Sequence, residues 1–233
     1  MPAPISFSAI RALTFDCYGT LVDWETGLLR DLRAGLESSL NITDEQLLSW
    51  YAMAESEAET GPFRKYKEVL RRALEGVARL AKVNVRDPFA IVNGLPSWPV
   101  FPDSPAALAI LKKQYKLCIT SNVDRDLFLL TQKNLGVEFD EIVTADQIES
   151  YKPRPNHLWE ALRLLKIQKT ELLHVAQSLF HDHAPARALG IRSVWIDRRG
   201  ARAGGATPSV NLPFDPDLRV GTLEEFAQIA TRR

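Results

Sequence analysis

Between residues 116 and 197, short apolar runs of strand type alternate with amphipathic helical stretches, and this alternation restricts the chain most. The strand-like runs are Lys116–Ser121, Glu141–Thr144, Leu173–Ser178 and Ser193–Asp197. Between them lie the helical patterns Asp124–Asn134, closed by Gly136, then Asn156–Leu165 and Ala184–Leu189, with Ser104–Gln114 ahead of the series. Strands separated by single helices can be joined only by crossovers, so the sheet they form is parallel and doubly wound. The stretch Arg199–Asp217 reads as loop, and Gly221–Thr231 as a final helix.

One further strand stands far upstream. Ile10–Phe15 is an apolar run that delivers Asp16, and the turn Tyr18-Gly19-Thr20 follows at once. Beyond it the pattern is helical only. Apolar residues recur at helical spacing from Trp24 to Leu40 and again after Thr43-Asp-Glu-Gln46, a T-x-x-Q capping box. A third helix, Phe63–Lys82, carries Leu70, Ala73, Leu74, Val77 and Leu80 on one face, and a short fourth runs near Pro88–Val92. Pro96, Pro99, Pro102 and Pro105 then form a stiff, extended connection. The expected organisation is an α/β, Rossmann-like core of residues 1–21 and 97–233, interrupted by a helical cap of residues 22–96. An insertion directly after the first strand lies over that strand's carboxyl end, where open α/β sheets bind ligands. It would cover the crevice that Asp16 faces, exclude water and supply specificity.

Lys and Arg total 29, as do Asp and Glu, so no net field recruits nucleic acid or a membrane surface. The N-terminus has no signal-peptide pattern and no apolar run is long enough to span a bilayer. Cys17 and Cys118, in expected core strands, have no metal-type spacing, and reduced thiols in a cytoplasmic protein are the simplest account. A small-molecule substrate is the expected partner.

Four polar clusters follow strand-like runs: Asp16-Cys-Tyr-Gly-Thr20, Thr120-Ser121-Asn122, Tyr151-Lys152-Pro153, and Gln177-Ser178-Leu-Phe-His-Asp182. In a parallel sheet they converge at one edge as a carboxylate nucleophile, hydroxyl and amide donors, a fixed cation and a second carboxylate. A carboxylate beside Lys152 is held charged and oriented, and Asp182 can direct the water that opens a covalent ester. His174 reads as a core histidine and His157 as an exposed one. His181 and His183 read as structural, with no third metal ligand suggested. Trp24, Trp50 and Trp98 flank the cap junctions and read as packing residues.

The order D-x-x-G-T, S-N, K-P, S-x-x-x-D, with a helical insertion behind the first motif, resembles the haloacid dehalogenase superfamily. The resemblance implies that Asp16 is the nucleophile, with Lys152, Asp182 and Thr20 as its catalytic companions. The superfamily's phosphatases usually carry an aspartate two residues after the nucleophile, where this chain has Tyr18, and an acid for magnesium where it has Gln177. Both differences resemble the metal-free 2-haloacid dehalogenases, which displace halide from a small carboxylic acid and yield a 2-hydroxy acid without cofactor. That resemblance implies that the main-chain N–H groups of Cys17 and Tyr18, with Ser121, bind the substrate carboxylate, and that Asn122 and Ser178 support the constellation. It also implies a homodimer. The dehalogenases receive halide on a cap arginine, at a place where this chain has Tyr51, with Arg64 or Tyr66 as substitutes. Their halide-contacting asparagine falls at Leu179 or Phe180 and a tyrosine at Leu158. The alternatives are a Mg²⁺-dependent phosphatase or phosphonate hydrolase, with the ion on Asp16, the Tyr18 carbonyl and Asp182 or Gln177, and a non-catalytic binding protein on the same scaffold.

Overall fold

The computed structural model describes residues 5–37, 42–200 and 214–232. Strand β1 (Ala12–Phe15) is buried at every position, as a strand paired on both sides and covered on both faces must be. Four helices follow: α1 (Trp24–Gly35), α2 (Asp44–Ala58), α3 (Tyr66–Ala81) and α4 (Ala90–Gly94). The alternating half then runs α5 (Ser104–Leu111), β2 (Lys116–Ser121), α6 (Arg125–Leu135), β3 (Glu141–Thr144), α7 (Ala145–Ile148) and α8 (Asn156–Leu165). It ends with β4 (Leu172–Ala176), α9 (Ala184–Leu189), β5 (Arg192–Ile196), β6 (Leu218–Val220) and α10 (Leu223–Thr231).

The strand order is β3-β2-β1-β4-β5-β6, and every pairing is parallel. Phe15 stands between Ile119 of β2 and Val175 of β4. Winding reverses at β1, so the crevice beyond its carboxyl end is the switch point of the sheet. Alternate strand residues face opposite layers. Leu13, Phe15, Leu117, Ile119, Leu173 and Val175 join one apolar cluster, while Ala12, Cys118, Val143 and Leu172 meet Leu158, Ala161 and Leu165 of α8 on the other face.

The inserted helices have local causes. Thr43 caps α2 by accepting from the Gln46 N–H at 3.2 Å, the forward half of the expected box. The α3 face of Val69, Leu70, Ala73, Leu74 and Val77 is buried, each of the larger side chains contributing roughly 1.5–3 kcal/mol. Helix α1 ends at Gly35, short of the expected Leu40, because the Gly35 carbonyl accepts from the N–H groups of Arg86 and Asp87 and Leu36 bridges to Val85. Residues 38–40 of that expectation lie outside the described residues. Trp98, from the proline-rich connection, packs on Gly27 of α1 and donates its indole N–H to Asp31 at 2.7 Å. A Cβ at Gly27 would lie 2.3 Å from that ring.

The segments that leave and re-enter the sheet pair with each other at Val22 and Val100 in antiparallel sense. Strand β6, directly after the stretch read as loop, was not anticipated. Residues 201–213 of that loop lie outside the described residues. No described helix is long and apolar enough to cross a membrane.

Candidate active site

The four clusters meet at the carboxyl ends of β1, β2 and β4. Asp16 follows β1 directly and its N–H donates to the Val175 carbonyl. Its Oδ1 accepts from Lys152 Nζ at 2.8 Å, and its Oδ2 from the Thr20 hydroxyl at 2.7 Å. The same hydroxyl accepts the Gln177 N–H at 2.9 Å, which ties the β1 turn to the end of β4. Lys152 Nζ also reaches Asp182 Oδ1 at 2.7 Å and the Thr120 carbonyl at 3.1 Å. Its main chain is clamped by Asn122, whose Oδ1 accepts the Lys152 N–H at 2.7 Å and whose amide donates back to the Lys152 carbonyl.

Burial works against the charge on Lys152, but Asp16 and Asp182 together hold its titration above the ordinary lysine value. Burial likewise raises Asp182, yet Lys152 and His174 outweigh it and hold this carboxylate well below its usual range. Burial dominates at Asp16, and the Asp182 charge adds to it, so the Asp16 carboxyl is displaced upward despite Lys152 and Thr20. The pattern is one ammonium shared by two buried carboxylates, the second ionised most firmly.

His174 is the core histidine its sequence reading gives, whereas His157 departs from its reading. His174 is buried, but its Nε2 donates to Asp182 Oδ1 at 3.0 Å while Nδ1 meets the Thr14 hydroxyl at 2.9 Å, so it orients the second carboxylate. His157, expected to be exposed, is 1% exposed because α8 packs its first turn under the sheet, and its Nε2 contacts the Ser121 carbonyl. Asp182 sits in a π-helical turn, Leu179–His183. Ser178 caps that turn by accepting the His181 N–H, and His183 bridges Ser193 and the Ala176 carbonyl. Asp182 Oδ2 is buried and has no hydrogen-bond partner among the described residues.

Asp16, Lys152, Asp182, Ser121, Asn122, Tyr18, Gln177 and Ser178 line a small cavity of about 80 Å³. Tyr18 turns its hydroxyl away to Thr131 at 2.8 Å, with its ring edge-on to Trp98. Cys17 lies just beyond β1 with its thiol fully buried and its titration pushed up by that burial, which leaves only its main chain to serve a ligand. Among the described residues no acceptor meets the N–H groups of Cys17 and Tyr18. Tyr51 is not at the cavity wall. It is fully buried and donates to Glu55 at 2.9 Å. Arg64 donates outward to the carbonyls of Ala58, Thr60 and Pro62. Leu158 is core, and neither Leu179 nor Phe180 lines the cavity.

The inserted helices supply Trp24, Glu55, Glu59 and Tyr66 to the cavity. The two glutamates were missed in sequence. Glu55 Oε1 accepts from both Tyr51 and Tyr66, the latter at 2.6 Å. Burial raises Glu55, and burial with the Glu55 charge pushes Glu59 up to about 9. Asp124, buried in the core, fastens these helices down by accepting the first two N–H groups of α3, those of Tyr66 and Lys67, at 2.9 and 3.0 Å.

The donor set does not fit magnesium. Both Asp16 oxygens already meet donors, Lys152 stands between the two aspartates, and Gln177 offers an uncharged amide where a hard cation needs charge. Among the described residues no group of three His, Cys, Asp or Glu side chains is placed to hold a metal ion.

A family model of haloacid dehalogenase-like hydrolases matches residues 10–190. The chain is 26% identical to (S)-2-haloacid dehalogenase 1 of Pseudomonas sp. (strain CBS-3), over 81% of this chain and 85% of that protein. It is 30% identical to a phosphoglycolate phosphatase of Cupriavidus necator, over 72% of this chain and 74% of that protein. Among solved structures, the L-2-haloacid dehalogenase of Xanthobacter autotrophicus superposes with a TM-score of 0.79 at 21% identity, covering 94% of this chain and 98% of the other.

Proposed function

The chain belongs to the haloacid dehalogenase-like hydrolases and is therefore an enzyme, and from that premise we propose that it hydrolyses a carbon–halogen bond in a small 2-substituted carboxylic acid without a metal ion. The observation that carries this reading is the single ammonium of Lys152 joining Asp16 and Asp182. It makes one carboxylate a positioned nucleophile and the other an ionised base, with no cation left to assist a phosphoryl group. Helices within residues 22–96 act as the cap.

In the first step an Asp16 oxygen attacks C2 of the substrate, the carbon–halogen bond breaks, and halide departs with the electron pair. The N–H groups of Cys17 and Tyr18 and the Ser121 hydroxyl hold the substrate carboxylate. In the second step a water donates a proton to the open Oδ2 of Asp182 and attacks the ester carbonyl carbon of Asp16. Collapse breaks the bond between the acyl carbon of Asp16 and the ester oxygen, the departing alkoxide takes the proton of the added hydroxyl, and the 2-hydroxy acid leaves with the Asp16 carboxylate restored, one of its oxygens from water. The proton on Asp182 passes to solvent. The sum is haloacid plus water to hydroxy acid, halide and a proton.

The second reading, a phosphatase, is favoured only by the phosphoglycolate phosphatase likeness. One experiment separates the two. The enzyme is quenched with 2-chloropropionate or with p-nitrophenyl phosphate plus magnesium, and the Asp16 peptide is weighed. Alkyl addition is expected, together with ¹⁸O in Asp16 after turnover in labelled water. Phosphoryl addition, or no addition from either compound, overturns the proposal.

A further inference from the structure

The charges around the cavity favour a substrate that carries a cation as well as a carboxylate. Of the described side chains that line it, Lys152 is the only permanent cation, and three acceptors already hold it. His181 is kept neutral near pH 7, its titration lowered to about 4 mainly by burial. Arg64 of the cap is spent on the main-chain carbonyls of Ala58, Thr60 and Pro62 and does not line the cavity.

Facing this single, occupied cation are two carboxyl groups of the cap. Glu55 is set by two tyrosine hydroxyls that both donate to the same oxygen, the pattern of an ionised acceptor. Glu59, one helical turn further on, lines the cavity; its N–H donates to the Glu55 carbonyl, while its carboxyl takes part in no hydrogen bond among the described residues. Trp24 and Tyr66 complete the wall. Aromatic faces beside carboxylates attract cations and repel anions. Among the described residues the sheet side of the cavity also lacks a donor, at the Asp182 oxygen that takes the proton of water in the reading above. Asp182 is 1% exposed, lines the cavity, and has one oxygen without a partner among the described residues.

Resting on the reading of the cavity given above, we propose that the substrate is zwitterionic: a small carboxylic acid whose chain ends in an ammonium group, with the carboxylate at the sheet and the ammonium between Glu55, Glu59, Trp24 and Tyr66 of the cap. The cap of this chain thus selects a substituent by charge, where an arginine would select an anion. Burial and the Glu55 charge push Glu59 up to about 9 in the free protein, and an ammonium in this position favours release of that proton.

Calorimetric titration with 4-aminobutanoate and with butanoate tests the charge preference apart from the chemistry. The amino acid is expected to bind at least about tenfold more tightly, the equivalent of one partly buried ion pair. That ratio should fall towards one in Glu59→Gln and in Glu55→Gln. Equal or weaker binding of 4-aminobutanoate by the wild-type protein overturns the proposal, and needs no variant to fold. So does a ratio that both substitutions leave intact. Alkylation of Asp16 by 4-amino-2-chlorobutanoate is followed in parallel. If it occurs while the amine gives no advantage, the zwitterion fails and the hydrolase reading stands. If the amine is preferred and no alkylation is seen, the charge selection stands and carbon–halogen chemistry fails.

Discussion

Replacing Lys152 by Met removes the ammonium while keeping most of the side-chain volume, so the loss is electrostatic. Lys152 is 6% exposed and holds Asp16 Oδ1 at 2.8 Å, Asp182 Oδ1 at 2.7 Å and the Thr120 carbonyl at 3.1 Å. Stripping one partner from a buried ion pair costs about 3–5 kcal/mol, because the other charge is left uncompensated. Here two carboxylates are left. The pH dependence has a definite sign. In the wild-type protein Lys152 titrates above its free value of 10.5, so its contribution is complete below that pH and is lost as pH rises through the folded value. Asp182 titrates below its free value of 3.8, so its contribution is present above that pH and is lost as pH falls through the folded value. Asp16, displaced upward, already favours folding at the acid side. In Lys152→Met both carboxyls titrate high, so the penalty is full at pH 8 and eases as protons are taken up, by about 1.4 kcal/mol per pH unit for each proton. Urea unfolding followed by tryptophan fluorescence at pH 8, 7, 6 and 5 measures this. A loss of about 3–5 kcal/mol at pH 8 that shrinks by at least about 1.4 kcal/mol at pH 5 is expected. A loss under about 1 kcal/mol, or one independent of pH, refutes the shared-ammonium account.

Thr20→Val removes the 2.7 Å bond to Asp16 and leaves the Gln177 N–H without its acceptor. A bond to a charged group is worth about 1.5–3 kcal/mol, so kcat/KM on 2-chloropropionate should fall about 10- to 100-fold. An unchanged kcat/KM would show that the hydroxyl does not hold the nucleophile. Gly27→Ala sets helix propensity against a clash: Ala gains about 0.5–1 kcal/mol in a helix, but its Cβ would sit 2.3 Å from the Trp98 ring. Overpacking of that kind costs typically about 1–3 kcal/mol, so the Tm should drop. A Tm equal to or above that of the wild type would mean that the Trp98 contact yields freely.

The doubly wound core was readable because its signals are local. Lys116–Ser121, Glu141–Thr144, Asn156–Leu165 and Ala184–Leu189 fall where periodicity puts them. Strand β6 was not readable, since three residues have no periodicity and Leu218–Val220 become a strand only by pairing with the edge of β5. Helix α1 stops early for the same kind of reason, as its last carbonyl is taken by residues fifty positions away, Arg86 and Asp87. The sheet-side cluster was legible because strand ends in a parallel sheet share an edge. The cap side was not. Glu55 and Glu59 lie in an Ala-Glu-Ser-Glu-Ala-Glu run that looks like a solvated face. The clue was spacing, for they follow Tyr51 at i+4 and i+8, on the face that a buried aromatic turns inward. His157 misled because a lone histidine carries no mark of which way its helix will turn.

Asp124 has a consequence that reaches beyond capping. It stands two residues past Asn122, the residue that clamps the Lys152 main chain, so a single short loop grips the cap helix at one end and seats the ammonium at the other. Lifting α3 away from the sheet strips two amides from that carboxylate and pulls on the loop that seats the lysine. The position of α3 over the cavity and the seating of the ammonium beside Asp16 are thereby geared together, through a residue that does not line the cavity.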